Sequence, residues 1–502
     1  MSPALRAWLA LIPGLLLACW LRLPDLERKP MHTDEAVQAE TTGRLLDGGV
    51  AAYKYDPVEY HGPTLYYLTL PVAWLRGQDS YVRLDEVTIR LVPAIFGIAL
   101  LLWLPLLRGQ LGTAGVAVSA LLLASSPVFT YYSRYYIQES MLVFFSLGLA
   151  AGLARWAAGG GMRWAVVAGL NAGLMHATKE TCILTFAAMA GAAVLVTWSA
   201  RPMRLPERWR RDAWGFTAAA VLIAGIFLSS FFTHPRGPLD SLLTFFHYAG
   251  KAVENGHEKP WWWYADILTW NRVGQRVVFH ELGLLVPGLL ALGAVAARRT
   301  GWRSRPAALF GAVWFVLLAG VYSVIRYKTP WLALNPLLPL ALLAGMGVDA
   351  VWGGKGPWRR GVLAALLLLA VWQGTKVSGW VTGRFASDER NPYAYSHPTR
   401  DIVDGCRTLV RMQEQSREPL VVHVLADEYW PVPWYLRSLP AVGYWDSRHP
   451  AGEAGIWILD DGALSSWDTS ARPATHDRVH GLRPGVNLHV KIRPEIWSTF
   501  RP

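Results

Sequence analysis

Residues 89–107 read IRLVPAIFGIALLLWLPLL, and residues 110–130 read QLGTAGVAVSALLLASSPVFT. Each stretch has the length of the roughly 20 mostly apolar residues that a helix needs to cross the hydrocarbon core of a bilayer. Nine further blocks of this kind lie along the chain, at 4–23, 139–156, 163–177, 181–199, 214–232, 277–297, 306–324, 331–350 and 360–375. The pattern predicts a polytopic α-helical membrane protein with about eleven transmembrane helices.

The block at 163–177 is the weakest of these, because it is short and contains Asn171 and His176. A re-entrant or half-buried helix is the alternative there. The composition of the whole chain agrees with a membrane protein, since 53% of its 502 residues are hydrophobic, 26 are tryptophan, and the apolar residues are gathered in blocks.

The lysines and arginines are distributed unevenly between the short connectors. If the N-terminus lies in the cytoplasm, the inner connectors carry fifteen of these charges and the outer connectors four, which are Arg134, Lys179, Arg326 and Lys328. Cytoplasmic loops of membrane proteins carry an excess of Lys and Arg. The distribution predicts a multi-pass protein of the plasma (inner) membrane with its N-terminus in the cytoplasm. It also places three long segments outside the cytoplasm: 24–88, 233–276 and 376–502.

The net charge of +12 follows largely from this topology. No basic-aromatic recognition motif is present, so nucleic acid is not expected as a partner. Cys19 and Cys182 lie in predicted spans and Cys406 lies in the last outer segment, which does not indicate a disulfide framework.

The first outer segment opens with Pro30-Met31-His32-Thr33-Asp34-Glu35 and continues with apolar residues at roughly helical spacing. Thr33 or Asp34 is the predicted N-cap of a helix that would lie along the membrane surface, with its positive end near the carboxylates. A second apolar stretch, at 64–75, is too short to span. Long ordered loops between spans are uncommon unless they have a function, which directs attention to this segment.

The last outer segment is predicted to form a small soluble α/β domain. Residues 399–415 have the pattern of an amphipathic helix, residues 420–425 and 455–459 that of buried strands, and residues 429–437 that of a second helix. The prediction therefore divides the chain into a transmembrane domain at 1–375 and an extracytoplasmic domain at 376–502. No glycine-rich phosphate loop occurs in the second domain, and Trp430 and Trp434 are interpreted as packing residues rather than substrate contacts.

Several groups of residues, taken in order, resemble the GT-C superfamily of glycosyltransferases, which use polyprenyl-phosphate sugars. They are Asp34-Glu35, His61-Gly62-Pro63-Thr64-Leu65-Tyr66-Tyr67, Arg134 with Glu139, Thr178-Lys179-Glu180, and Tyr327-Lys328-Thr329-Pro330-Trp331. Over about residues 1–350 the chain is similar to the protein O-mannosyltransferase and lipid A aminoarabinose transferase branch. No single motif is specific alone, and the resemblance rests on their order and shared outer placement.

Two further stretches resemble a prokaryotic group labelled flippase-associated membrane proteins. They are Asn391-Pro392-Tyr393-Ala394-Tyr395-Ser396-His397 and Tyr429-Trp430-Pro431-Val432-Pro433-Trp434-Tyr435. This narrower resemblance covers nearly the whole chain. It invites a transporter or flippase for lipid-linked sugars as a competing function.

Glycosyl transfer from a polyprenyl phosphate needs a general base, cationic groups for the departing phosphate and an apolar groove for the lipid tail. The resemblance implies Asp34 as the base, and the structural alternative is an N-cap. Glu35 would orient the site, or bind a metal or the acceptor, or else be a solvated charge on a helix face. Glu139 would be a second acid, or else form a salt bridge or start a helix.

Three cations lie at outer ends of predicted spans, where a lipid phosphate would be: Lys179, Arg326 and Lys328. Together they favour phosphate binding over snorkelling to lipid headgroups. Arg134 would act similarly or pair with Glu139. His61, within its motif, is placed with the substrate-binding residues.

Metal binding has little support in the pattern. His61, His247, His257 and His280 show no close ligand spacing and are interpreted as ordinary interfacial histidines. The cofactor is therefore unknown, with a divalent metal left open. Trp261-Trp262-Trp263-Tyr264 would stack on a sugar or, as favoured here, belong to the aromatic belt at the membrane interface.

The predicted function is transfer of a sugar from a polyprenyl-phosphate donor to an extracytoplasmic acceptor, which is a lipid, a protein or a glycan. Inversion at the sugar is implied by the superfamily. The alternatives are a transporter or flippase and a non-catalytic accessory protein. Transporters tend to place their charges near the bilayer midplane, whereas the candidate charges here cluster at outer ends of spans, which favours the enzyme.

Overall fold

The computed structural model describes residues 1–58, 61–199, 207–251, 258–298, 302, 304–353, 356–450, 452–467 and 475–500, with side chains for all of these except 247–251. The part of the chain described is mostly helical. Its helices are α1 Pro3–Arg22, α2 Thr33–Gly48, α3 Thr64–Leu75, α4 Glu86–Ala99, α5 Arg108–Ser125, α6 Pro127–Tyr132, α7 Glu139–Arg155, α8 Met162–Thr178, α9 Cys182–Ser199, α10 Trp209–Leu228, α11 Gly237–Lys251, α12 Trp263–Thr269, α13 Leu282–Ala296, α14 Arg305–Val324, α15 Leu334–Trp352, α16 Pro357–Thr382, α17 Arg400–Gln415, α18 Val432–Leu436, α19 Asp461–Ser465 and α20 Pro494–Thr499.

Eight apolar helices in the described ranges are long enough to cross a membrane. One of them, Glu86–Ser125, joins α4 and α5 through the 3-10 segment Leu100–Leu107 and so covers two predicted spans. Helix α13, with 15 residues, and α8, with 17, are shorter. Helix α8 covers the block at 163–177, for which a re-entrant or half-buried helix was the alternative. The predicted polytopic helical membrane fold is confirmed.

The turn between the two halves of Glu86–Ser125 depends on Gly112. Its φ of 71° lies in the left-handed region, which glycine adopts at little cost. A Cβ at this position would lie 2.1 Å from Oδ1 of Asp349 in α15, so no other residue fits without displacement. Further along α5, Gly115 packs closely on the backbone of Gly345, as small residues commonly do between membrane helices.

Two arginines tie the end of α1 to the bundle, directly before the first outer segment. Arg22 is buried and donates to the carbonyl oxygens of Leu123 at 2.9 Å and Ala124 at 2.8 Å. These carbonyls lie at the C-terminal end of α5, where intrahelical donors are missing. Arg134 in turn donates to the carbonyl of Leu21 at 3.1 Å. The outer segment that follows α1 therefore starts from a fixed point.

One predicted span needs a correction. The block predicted as helix from 277 begins instead with a β-strand, because β1 Asn271–Val273 and β2 Val277–Phe279 form an antiparallel hairpin. Gly274, with a φ of 62°, lies in its turn. Helix α13 starts only at Leu282.

The C-terminal segment contains a five-stranded sheet in the order β4-β3-β5-β7-β6. Its strands are β3 Val421–Leu425, β4 Ala441–Trp445, β5 Ile456–Leu459, β6 His476–Arg483 and β7 Val486–Ile492. Strand β3 is parallel to β4 and β5, whereas β7 is antiparallel to β5 and β6. The predicted α/β domain is confirmed, with α17, α18, β3 and β5 close to their expected positions; β4, β6 and β7 were not predicted.

Helix α16 continues to Thr382, past residue 375, where the transmembrane domain was predicted to end. The sheet domain then contacts the first outer segment. Trp434 is fully buried and its Nε1 donates to Oε1 of Glu86 at 3.0 Å, while the backbone N–H of Met31 donates to the hydroxyl of Tyr435 at 2.8 Å. The interpretation of Trp434 as a packing residue is confirmed.

Candidate functional site

A polar cavity of about 410 Å³ lies where the outer connectors of the bundle meet. Its lining comes from α2, the loop before α3, the start of α7, the connector between α8 and α9, and the segment after α14. The lining residues are Asp34, Val37, Gln38, Thr41, Arg44, Ala52, Tyr53, Lys54, Asp56, Val58, His61, Tyr66, Ile137, Gln138, Glu139, Lys179, Glu180, Thr181, Tyr327, Thr329, Trp331 and Leu332. Four predicted site residues are thus brought together: Asp34, His61, Glu139 and Lys179.

The start of α2 fixes the position of Asp34. The N-cap is His32, not Thr33 or Asp34 as predicted. Nδ1 of His32 accepts from the backbone N–H of Asp34 at 3.0 Å, and the Glu35 carboxylate accepts from the backbone N–H of His32 at 3.1 Å. This is a capping box in which a neutral imidazole replaces the usual hydroxyl or carboxylate, leaving the Asp34 side chain uncommitted to the cap.

Neighbouring residues on a helix point in different directions. The side chains of Asp34 and Glu35 therefore lie in different environments. The side chain of Asp34 is 39% exposed and lines the cavity, with Oδ1 3.9 Å from Nδ1 of His32. Glu35 is 0% exposed and does not line the cavity. The interpretation of Glu35 as a solvated charge is therefore wrong.

A buried ion-pair network holds Glu35. Arg90 forms two hydrogen bonds with its carboxylate, at 2.7 and 2.8 Å, and Nζ of Lys29 lies 3.6 Å away. The backbone N–H of Tyr136 donates to it at 2.9 Å. Burial by itself would raise the pKa of the Glu35 carboxyl, but Arg90 and Lys29 outweigh burial and hold that pKa below its usual range. Glu35 is therefore ionised and joins α2 to the bundle.

Glu139 is the first residue of α7 and forms an ion pair with Lys179. Both structural features expected of Glu139, a helix start and a salt bridge, are present. Its side chain is fully buried at the cavity wall, and Oε2 has no hydrogen-bond partner within the described part of the chain. The role of a second acid stays a prediction.

The predicted pairing of Arg134 with Glu139 is wrong. Arg134 donates instead to the carbonyl oxygens of Leu21 at 3.1 Å and Asp25 at 2.9 Å, and it does not line the cavity. Burial lowers the pKa of its guanidinium to about 10, which leaves it charged at neutral pH. Arg134 satisfies backbone carbonyls at the end of α1, while Lys179 occupies the place beside Glu139.

The His-Gly-Pro motif brings His61 against the connector that carries Lys179. The backbone of His61 pairs with that of Lys179, and the N–H of Gly62 donates to the carbonyl of Thr178 at 3.2 Å. A Cβ at Gly62 would lie 2.1 Å from the carbonyl oxygen of Ala177, so this approach requires glycine. Nδ1 of His61 lies 3.5 Å from Oε2 of Glu180.

The segment after α14 presents alternate residues to the cavity. Tyr327 and Thr329 line it, whereas Arg326 and Lys328 point elsewhere. The Arg326 side chain is 77% exposed and lies 3.8 Å from Glu258. The Lys328 ammonium is buried and donates to the backbone carbonyl of Ile325. Of the three predicted phosphate-binding cations, only Lys179 lines the cavity.

Two other cations in the lining were not predicted, Arg44 and Lys54. The position of Arg44 in the lining follows from helical spacing, because Asp34, Val37, Thr41 and Arg44 fall on one face of α2. Lys54 lies in irregular chain, where periodicity gives no direction. The acids Asp56 and Glu180 also line the cavity without having been assigned a role.

No group of three or more His, Cys, Asp or Glu side chains in the described ranges is arranged to hold a metal ion. The side chain of His247 and all of His257 lie outside the described residues. Trp261 and Trp262 are exposed, at 69% and 52%.

Residues 72–232 match the family described as dolichyl-phosphate-mannose-protein mannosyltransferase. An undecaprenyl phosphate-alpha-4-amino-4-deoxy-L-arabinose arabinosyl transferase from Serratia proteamaculans is 27% identical over 369 residues, covering 68% of this chain and 59% of that protein. The protein of the same name from Pseudomonas paraeruginosa is 30% identical over 155 residues, covering 29% of this chain and 25% of that protein. The chain thus spans between a quarter and three-fifths of the length of these curated relatives.

Solved structures extend the likeness to the whole chain. The crystal structure of ArnT from Cupriavidus metallidurans bound to undecaprenyl phosphate has a TM-score of 0.66 at 14% identity, covering 97% of this chain and 98% of that chain. The apo oligosaccharyltransferase from Archaeoglobus fulgidus has a TM-score of 0.56 at 13% identity, covering 87% and 64%. The chain is thus similar in sequence to these transferases over part of its length, and it shares the fold of these two solved structures.

Proposed function

We propose that the protein transfers a sugar from a polyprenyl-phosphate carrier to an extracytoplasmic acceptor in the cavity, with Asp34 as the general base. The observation that carries this proposal is the contrast between two adjacent acids. Asp34 lines the cavity and is partly exposed, whereas Glu35 is buried and ion-paired. A base must reach the acceptor hydroxyl, and its backbone must be held in place. The His32 cap and the Glu35 network fix the start of α2, so Asp34 has both properties.

The reaction needs no covalent intermediate with the protein. The acceptor hydroxyl gives its proton to the Asp34 carboxylate as its oxygen forms a bond to the anomeric carbon of the sugar. The bond from that carbon to the phosphate oxygen breaks, and the polyprenyl phosphate leaves with the electron pair. Attack opposite the leaving group inverts the anomeric centre, in keeping with the superfamily.

Lys179 is our choice for the group that stabilises the leaving phosphate. Its ammonium is buried at the cavity wall and oriented by Glu139. A cation in a site with little water stabilises developing negative charge more strongly than one in bulk solvent. Arg44 and Lys54 line the same cavity and supply further positive charge, and the acids Asp34 and Asp56 lie among them.

Two of the comparisons support a class of donor. The curated relatives are named as undecaprenyl phosphate-aminoarabinose transferases, and one of the structural neighbours was crystallised with undecaprenyl phosphate. We therefore propose an undecaprenyl-type carrier. The acceptor is a lipid, a protein or a glycan of the cell envelope.

We also propose the orientation predicted from the sequence, in an inner membrane with the N-terminus in the cytoplasm. Every segment that lines the cavity belongs to a connector or span end assigned to the outer side by the charge distribution. The charges meet at one end of the bundle rather than at its midplane, which supports an enzyme over a transporter.

The experiment that tests the proposal is a release assay with the purified full chain. An undecaprenyl-phosphate-linked aminopentose is incubated with the protein and with fractions of envelope lipid, protein and glycan. We expect undecaprenyl phosphate to appear together with a labelled acceptor in one fraction. Transport of the intact donor across vesicles without release of undecaprenyl phosphate would contradict the proposal.

A further inference from the structure

A second cavity, of about 730 Å³, lies between α9, α13 and α14. It is at the end of the bundle opposite the candidate site. Helix α9 begins at Cys182, directly after the cavity-lining Lys179 to Thr181, and α14 ends at Val324, just before Tyr327. The far ends of these two helices, Ser199 and Arg305, line the second cavity.

The walls of this cavity are apolar over most of their surface. Each of the three helices contributes aliphatic side chains, and α14 contributes the small residues Ala308 and Ala312, which leave room between the helices. Trp302 also lines the cavity and packs towards α15, since a Cβ at Gly347 would lie 3.5 Å from its ring. The volume of the cavity is within the range of about 300–1,000 Å³ found for small-molecule sites.

Two arginines add positive charge to this apolar space. Arg298 and Arg305 both line the cavity and are exposed, and none of the described lining residues is acidic. Within the described ranges, neither arginine has a carboxylate within 4 Å. An apolar cleft with unpaired arginines matches a molecule that has both an acyl chain and an anionic group.

We propose that this cleft binds one anionic phospholipid from the membrane leaflet at that end. Its phosphate lies between Arg298 and Arg305, and an acyl chain occupies the space beside Ala308 and Ala312. Basic pockets between transmembrane helices bind anionic headgroups, and the guanidinium fork suits phosphate oxygens. A free aqueous anion would leave the apolar walls in contact with water, so the lipid satisfies more of the site.

Native mass spectrometry of the full chain tests the site directly. The protein is titrated with phosphatidylglycerol and, separately, with phosphatidylcholine carrying the same acyl chains. We expect one phosphatidylglycerol to bind at least about tenfold more tightly than phosphatidylcholine, since each charged hydrogen bond lost matters on about that scale. The double variant Arg298→Gln/Arg305→Gln should lose this preference, and Ala312→Phe should lower the affinity for both lipids by filling the cleft.

The matched control is Arg359→Gln/Arg360→Gln, which removes the same charge from the first turn of α16 at that end and should keep the preference. Equal affinities for the two lipids in the parent would overturn the proposal, as would an unchanged preference in Arg298→Gln/Arg305→Gln. Tighter binding of undecaprenyl phosphate than of phosphatidylglycerol, abolished by that double variant, would assign the cleft to the carrier and also overturn it. None of these three results depends on sugar transfer, so the proposed function is tested separately.

Discussion

Nδ1 of His32 accepts a hydrogen bond from the backbone N–H of Asp34 at 3.0 Å, and Nε2 of the same ring lies 3.1 Å from the carbonyl oxygen of Tyr395. A carbonyl can only accept, so the ring proton is on Nε2 and Nδ1 is the acceptor. Burial lowers the pKa of His32, which keeps the ring neutral and suited to this double role. One imidazole therefore connects the chain leading to the C-terminal domain with the backbone of the proposed base.

The two hydrogen bonds of the His32 ring predict that substituting this residue lowers kcat without changing the KM for the donor to the same extent. His32→Phe removes both hydrogen bonds, and we expect kcat to fall by about one to two orders of magnitude, because displacement of about 1 Å has that effect in catalytic sites. The KM for the donor should change little. His32→Asn keeps an N-cap acceptor and should retain more activity. A kcat of His32→Phe equal to that of the parent would show that the hydrogen bonds of His32 do not position Asp34.

Buried histidines also predict how stability depends on pH. Burial lowers the pKa of His32 and of His397, whose ring centroids lie 5.5 Å apart beside Lys29, Glu35 and Arg90. The unfolded chain therefore binds more protons than the folded chain below the ordinary histidine pKa of about 6.5. The free energy of unfolding should fall as the pH drops from 7 towards 5. Melting curves of His397→Phe should show a shallower decline; curves parallel to those of the parent would contradict this cause.

The Glu35 network predicts a large effect of removing one partner. Arg90→Leu leaves the fully buried Glu35 without its bidentate partner, and we expect a loss of about 3–5 kcal/mol in the free energy of unfolding. The matched control is Arg83→Leu, whose ion pair with Asp79 is exposed and should contribute about 0–1 kcal/mol. Denaturant unfolding in a fixed detergent measures both. Equal losses in the two variants would contradict a larger stabilising contribution from the buried ion pair than from the exposed one.

The proposed phosphate-binding role of Lys179 predicts a difference between two cations that the sequence analysis assigned the same role. Lys179 lines the cavity and Arg326 is exposed outside it. We expect Lys179→Gln to weaken the affinity for undecaprenyl phosphate at least about tenfold, and Arg326→Gln to have little effect.

Because Lys179→Gln leaves Glu139 without its ion-pair partner, the double variant Lys179→Gln/Glu139→Gln serves as the control for charge imbalance. It should fold as the parent does and still bind the lipid phosphate weakly. Restoration of parental affinity in the double variant would assign the loss to Glu139 rather than to the missing ammonium. Binding is measured by titration of the purified variants.

The membrane fold was predictable because apolar blocks of spanning length are a local property of the sequence. The meeting of Asp34, His61, Glu139 and Lys179 followed from their placement on outer connectors. The partners of these residues were not predictable in the same way. Arg90 lies within an apolar block, and its ion pair with Glu35 depends on two segments 55 residues apart.

Two local features were missed for different reasons. The sequence does not indicate His32 as an N-cap, because Ser, Thr, Asp and Asn are the usual capping residues. Strand β6, His476–Arg483, is rich in polar residues and lies at the sheet edge, so it lacks the apolar pattern that indicated β3 and β5. Its position depends on pairing with β7, a tertiary contact.

The transfer rate of purified Asp34→Asn shows directly whether Asp34 is the general base. The amide keeps the shape of the side chain, and the cap of α2 belongs to His32, so folding and donor affinity should match those of the parent. An amide cannot take the acceptor's proton, and we expect the rate to fall by about 10²–10⁴-fold. Asp79→Asn, an exposed acid outside the cavity, should transfer at the parental rate. Transfer by Asp34→Asn at the parental rate would contradict the assignment of Asp34 as the general base.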